Sequence, residues 1–361
     1  MKIVISGYYG FENIGDEAIL YAIIQSLKKE QPEVEITVLS NEPEVTAERY
    51  HVHAVNRWKL RDVIQAIKMS DGLISGGGSL MQDETGSRTI PYYAGIIKIA
   101  KFLRKPVFIY AQGMGPFNQK KSRFMVKSAL KNTTITVRDN DSKQLLQQIG
   151  VKEKIAIVPD PVLGIDIVQQ ASDWLTSQQF TKPVVTVSVR DWPTTNHYKQ
   201  KLAQALSFIG KQGYEIVFIP MHGSHDLITS EEIAGLMDCE SKIAPHDASI
   251  HEKIALIKES ELLIGIRLHA LIFAAVVNTP FIPLSYDPKI DSFAEICGQP
   301  LVGSIEEDNW TTVDLTNMFT KMTKHLEEEK DRLGAEVSPY KEEAQNTARA
   351  AIKIFKNKIE S

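Results

Sequence analysis

Short apolar runs alternate with segments of helical periodicity along most of the chain. The runs Lys2–Ser6, Val34–Leu39, Gly72–Ser75, Val107–Ala111, Thr134–Val137 and Ile155–Val158 read as strands. Between them, Asp16–Lys29, Lys59–Met69, Tyr92–Leu103, Lys121–Leu130 and Ser142–Gln148 space apolar residues three and four apart, as helices with one buried face do. Strands that are apolar nearly throughout, each followed by a helix, predict a parallel sheet covered on both faces.

The pattern loosens around Pro159-Asp160-Pro161, and Gln169–Pro183 is polar without a clear period. A second alternation then begins, with strands expected at Val184–Val189, Ile216–Ile219, Leu262–Ile264, Phe281–Pro283 and Leu301–Val302. The fold class expected is α/β: two Rossmann-like domains, residues 1–168 and 182–340, with parallel sheets facing a cleft. In residues 341–361, Ala344, Ala348, Ile352, Phe355 and Ile359 form one stripe of a helix. Lys341, Arg349, Lys353, Lys356 and Lys358 fall largely elsewhere. Docking of this helix on the body is the simplest reading, and a membrane-surface role is the alternative.

Composition narrows the class. Of 361 residues, 43% are hydrophobic and 24% charged, with a net charge of −4, so nucleic acid is not an expected partner. Two cysteines, Cys239 and Cys297, are too few for a disulfide framework or a thiolate metal site. No apolar run approaches the roughly 20 residues that span a bilayer. The apolar start Met1–Gly7 is too short for a signal peptide, so a cytoplasmic protein is expected, with contact at the inner membrane face left open.

The chemistry-bearing residues sit where strands pass into helices. Between Leu262 and Val277 only Arg267 and His269 are polar, and burying them is costly unless an anion meets them. They fall on a strand-to-helix connection, where open α/β sheets hold ligands and a helix amino end offers N–H donors. A shared target needs an extended or turn conformation there, because residues i and i+2 diverge on a helix. Arg138-Asp139 and Arg190-Asp191 place arginines at two further strand ends, where a local ion pair is the plain alternative. Lys289, at a helix entrance, opposes the helix dipole, and such a broken rule suggests function. Converging, these cations suit a small polyanion.

The first loop, Gly7 to Glu17, lacks the G-x-G-x-x-G spacing of dinucleotide sites, which argues against a dehydrogenase. Its Asn13 and Asp16 suit a hydroxyl-rich ligand, or are caps only. Gly76-Gly77-Gly78 follows a strand as a tight turn or an oxyanion nest, without the Lys-Ser or Lys-Thr of a P-loop. Gln112 lies in a third strand-end loop. His222, His225 and Asp226 make only a thin case for a metal, so no metal is expected.

Gly7 to Glu17, Gly76 to Asp83, Gln112 to Pro116, Arg138-Asp139 and Arg267-Leu268-His269 together resemble the polysaccharide pyruvyl transferases, closest to the type that modifies bacterial secondary cell-wall polymer. The resemblance implies a fold like that of GT-B glycosyltransferases, with the second domain on the donor side. It implies phosphoenolpyruvate as donor substrate, with no cofactor. The implied acceptor is an amino sugar, N-acetylmannosamine on a lipid-linked precursor, and the product a 4,6-linked pyruvate ketal. Arg267, Leu268, His269, Lys289 and Arg190 then bind donor, with His269, Arg267, Lys289 and Arg138 catalytic. Asn13, Asp16, Gly77 and Gln112 face the acceptor, with His269 and Asp16 as candidates for moving protons. A nucleotide-sugar glycosyltransferase and a non-catalytic sugar or phosphate sensor are the rival readings.

Overall fold

The computed structural model describes residues 1–84, 86, 88–167, 171–194 and 196–359. The expected domain end at 168 and the start of the linker at Gln169 lie outside the described residues. The chain forms two compact units, Met1–Asp166 together with the segment from Tyr340 onward, and Ile167–Pro339.

In the first unit the strands are β1 (Lys2–Ser6), β2 (Glu35–Ser40), β3 (His53–Asn56), β4 (Gly72–Ser75), β5 (Gly78–Met81), β6 (Val107–Met114), β7 (Thr134–Val137) and β8 (Ile155–Ile157). They pair in parallel in the order β3-β2-β1-β4-β6-β7-β8, with β5 added to β6. Near-continuous burial of β1, β4 and β6 follows from helices covering both faces. The second unit holds β9 (Val184–Ser188), β10 (Glu215–Phe218), β11 (Ser241–Ile243), β12 (Leu262–Gly265), β13 (Phe281–Ser285) and β14 (Gly303–Ser304). Their order is β11-β10-β9-β12-β13-β14, all parallel. Numbered within the unit, this is the 3-2-1-4-5-6 order of a Rossmann sheet. The fold is therefore α/β with two Rossmann-like sheets.

Each sheet reverses direction at one point, β1 beside β4 and β9 beside β12, and ligands in such sheets sit outside the carboxyl ends there. The loops that leave those ends carry Gly7–Asn13 and Gly76 in the first unit, and Arg190 and Arg267 in the second. Between β12 and β13 the helix Leu268–Val277 is apolar all round and buried along nearly its whole length, which fixes the Arg267 end against the sheet.

The last helix runs Leu326–Ile359, starting earlier than the pattern from 341 suggests. Leu333 and Val337 extend its buried stripe into a stretch dominated by charge. Beyond Tyr340, Ala344, Ala348, Ala351, Ile352 and Phe355 are buried, and the Phe355 ring occupies the space a Cβ on Gly72 would need. That stripe is spent on the protein, so it offers no apolar face to a membrane. No helix among the described residues is long and apolar enough to cross one.

Candidate functional site

In the second unit, Arg190, Asp191, His222, His225, Asp226 and Arg267 line a hollow of about 350 Å³. Arg267 is the N-cap of the Leu268–Val277 helix, in extended backbone, so the turn that the Arg267–His269 step requires is present. Its guanidinium is not unpaired. Nε donates to Asp226 Oδ2 at 3.0 Å and Nη2 to Asp226 Oδ1. Asp226 is 1% exposed and also accepts from the Met221 N–H at 3.1 Å. An arginine carries five N–H donors, so this grip leaves the Nη1 edge for a second planar acceptor.

Arg190 donates to the Tyr286 hydroxyl at 2.6 Å, and its guanidinium lies 4.7 Å from the Tyr286 ring and 5.0 Å from that of Trp192. Asp191 does not pair with it; Lys199 takes Asp191 at 2.7 Å and Glu232 at 2.6 Å. Burial lowers the Lys199 ammonium, but those two hydrogen bonds outweigh it and hold it well above its ordinary range. Three cations and three carboxylates thus meet around the hollow, which is balanced rather than strongly cationic. Burial, then the Arg267 charge, push the His222 imidazole below its ordinary range, so it is neutral at pH 7.

Lys289 corrects the dipole-based suspicion. Asp287 caps the helix Pro288–Ile296, accepting from the Lys289 N–H at 3.1 Å, and its other oxygen holds the Lys289 ammonium at 2.7 Å. The lysine is the capping acid's partner, and it reaches the Arg190 cluster only through Tyr286, whose ring is 5.6 Å from its Nζ. His269 is the second residue of its helix, partly buried, and is not among the residues lining the hollow. Leu268, the first residue of that helix, is buried. Among the described residues no three His, Cys, Asp or Glu side chains are grouped to hold a metal ion.

Lys253 was not singled out by the sequence. It is fully buried, donating to the Pro220 carbonyl at 2.5 Å and the His246 carbonyl at 3.0 Å, and burial lowers it to about 8. It thereby holds the Pro220–His222 corner that forms one wall of the hollow. A charged residue on the buried face defined by Ile250, Ile254 and Ile257 was the available signal.

In the first unit, Asn13 caps the helix Ile14–Glu30, accepting from the Gly15 N–H at 3.1 Å, while its amide donates to Asp16 Oδ2 at 2.7 Å. The Asp16 carboxylate lies against Gly78, where a Cβ would fall 2.6 Å from Oδ1 and where φ is +84°. Close approach accounts for the other glycines as well. A Cβ on Gly77 would meet Ile19 at 2.9 Å, and one on Gly76 the Tyr9 hydroxyl at 2.1 Å. With a carboxylate beside it, this turn does not offer the oxyanion nest its spacing allows. Arg57, also missed, is buried beneath the first loop, donating to the Gly7 carbonyl at 2.7 Å and the Tyr93 hydroxyl at 3.2 Å.

Gln112 is fully buried. A bulge at Ala111, whose φ is +47°, lets its amide donate to the Ser75 hydroxyl and the Gly76 carbonyl, both at 2.7 Å. Direct contact with an acceptor is closed to it; it braces the turn that carries Gly77 and Gly78. Arg138 lies across Gly113, donating to the Ser79 hydroxyl at 3.0 Å, with Asp139 and Asp160 carboxylates each at 3.6 Å. The plain ion-pair reading of Arg138 is thus met, with Asp160 as a second acid.

A family model for polysaccharide pyruvyl transferases matches residues 13–288. The chain belongs to that family. A curated relative, the amylovoran biosynthesis protein AmsJ of Erwinia amylovora, is 19% identical, with 84% of this chain and 88% of that protein aligned. Among solved structures, UDP-GlcNAc 2-epimerase from Neisseria meningitidis bound to UDP-GlcNAc is similar at a TM-score of 0.67 and 12% identity, covering 98% of this chain and 99% of the other. The Escherichia coli ADP-heptose LPS heptosyltransferase II is similar at 0.58 and 14%, covering 91% and 100%. At such identities these two show a GT-B-like fold and nothing more. Membership makes the chain a transferase of polysaccharide biosynthesis, and the matched span includes both Asn13 and Arg267.

Proposed function

We propose that the protein moves the pyruvyl group of phosphoenolpyruvate onto two hydroxyls of one sugar as a ketal, releasing phosphate. The observation that carries the donor assignment is the pairing of Arg190 and Arg267 in one hollow at the reversal point of the second sheet. Phosphoenolpyruvate is a compact anion whose planar carboxylate suits the free edge of Arg267, and whose phosphate suits Arg190.

The reaction needs a proton on the methylene carbon, attack of one sugar oxygen on C2, loss of phosphate with its bridging oxygen, and attack of the second hydroxyl. One hydroxyl proton replaces that delivered to carbon, and the other leaves with phosphate. His269 is our candidate for moving the proton to carbon, and Asp16 for accepting one from a hydroxyl. Arg190 and Arg267, which line the hollow, stabilise charge on the departing phosphate. Asn13 and Asp16 orient the diol, on the turn that Gln112 and Gly77 support. The acceptor we favour is the 4,6-diol of N-acetylmannosamine on a lipid-linked cell-wall precursor, and the protein needs no resident cofactor.

Incubation with phosphoenolpyruvate and an N-acetylmannosamine-containing disaccharide tests this. Acceptor-dependent phosphate release should accompany a product whose proton spectrum shows a new methyl singlet. The enol ether is an isomer of the ketal, so vinyl protons in place of the methyl would refute the cyclisation. Consumption of a nucleotide sugar instead would establish the glycosyltransferase reading, and donor binding without turnover the sensor reading.

A further inference from the structure

We infer that the helical face of the first unit formed by Thr89–Phe102 and Lys120–Leu130 docks on an anionic lipid bilayer. From residue 85 to residue 138 the chain contains eleven Lys and Arg and no Asp or Glu, in a protein whose net charge is −4. The two helices of this stretch pack side by side, and the Lys101 ammonium joins them by donating to the carbonyls of Ser128 and Ala129 at 3.3 and 3.1 Å. Their inner faces are already satisfied, with Ala94, Ile97, Val126 and Ala129 buried in the core. Each nevertheless carries a large aromatic outward, Phe102 at 87% exposed and Phe124 at 71%. Folding does not require either ring there.

Beside Phe124, Arg123 and Lys127 flank a hollow of about 350 Å³ whose other walls include Leu145 and Ile149. Cations at the rim and apolar walls match a lipid headgroup phosphate with the start of its chains. Exposed aromatics among lysines anchor proteins at the bilayer interface, where anionic lipids attract each cation. Nucleic acid is the other polyanion of this charge, but it is usually held in a long charged groove, and this surface is the outer side of two packed helices. Acids meet the pair at its edges: Glu153 accepts from the Asn132 N–H at 2.9 Å, and Asp83 from the Asn118 and Gln119 N–H groups at 2.8 and 3.0 Å, before the second helix begins. The inference stands apart from the choice of donor and acceptor.

Flotation of the full chain with phosphatidylcholine vesicles, with and without about 30% phosphatidylglycerol, tests it. The protein should partition at least tenfold more onto the anionic vesicles. Lys120→Glu/Lys121→Glu/Lys127→Glu should lose at least tenfold, and Phe102→Ser/Phe124→Ser several-fold, both with unchanged melting temperature. Equal partition onto neutral and anionic vesicles, or none onto either, would overturn the proposal. So would a charge-reversal variant that binds as wild type, or a phenylalanine variant that does so while the protein holds a single-stranded oligonucleotide equally well.

Discussion

Asp226 grips Arg267 through two roughly parallel hydrogen bonds, and both side chains line one hollow at the reversal point of the second sheet. The acid is buried and the guanidinium only partly so, which makes Asp226 the fixed member and Arg267 the one turned toward a ligand. Asp226→Asn keeps the shape but weakens both bonds. Hydrogen bonds to charged groups contribute about 1.5–3 kcal/mol. The variant should therefore raise the donor KM roughly tenfold or more with a smaller change in kcat, measured as phosphate release. An unchanged KM would make the pair purely structural.

His222 gives donor binding a pH dependence. Its pKa in the free protein lies below 6.5, so an anion arriving in the hollow raises it and binding takes up a proton between the two values. Wild type should therefore gain affinity relative to His222→Gln as pH falls below 6.5, which calorimetry in buffers of different ionisation enthalpy would register. Parallel pH profiles for the two proteins would separate His222 from the donor.

Gly78→Ala should separate the two substrates. Its Cβ would press on Asp16 Oδ1 from a left-handed backbone, a conformation that costs roughly 1–2 kcal/mol outside glycine. Acceptor KM should rise several-fold while donor affinity, measured without acceptor, stays within twofold. Loss of donor affinity alone would place the first loop on the wrong substrate.

Lys253→Met should destabilise the protein by about 1–3 kcal/mol at pH 10.5, where the lysine is neutral and the variant only takes the donor from two buried carbonyls. The lysine titrates near 8 when folded and near 10.5 when unfolded, so between those values the unfolded chain binds more protons and stability rises with pH. Denaturant unfolding at pH 8 and 10.5 should show wild type gaining about 3 kcal/mol relative to the variant. Equal gains in both would assign the titration elsewhere.

Central strands were legible in the sequence because burial on both faces makes them continuous apolar runs. The edge strands β3 and β11 were not, although β8 at the other edge of the first sheet was: β3 and β11 read His-Ala-Val-Asn and Ser-Lys-Ile, and their pairing is set by neighbours rather than by their own residues. β5 was hidden in the glycine turn, and β14 begins at Gly303, directly after the expected run Leu301–Val302. Strand ends identified the loops that carry Arg190 and Arg267, but not their partners. Asp226 lies 41 residues from Arg267, and no local pattern links them. Lys289 breaks the dipole rule only when taken alone, because the acid that caps the same helix, Asp287, pairs with its ammonium. Gln112 and Arg57 owe their places to a bulge and to an aromatic cluster, neither of which leaves a periodic trace.

Titration calorimetry of phosphoenolpyruvate into wild type, Arg190→Ala and Arg267→Ala decides whether the hollow of the second unit is the donor site. Both variants should lose at least tenfold in affinity while retaining the wild-type fold by circular dichroism. Wild-type affinity in both, or no binding by the wild type itself, would contradict the assignment.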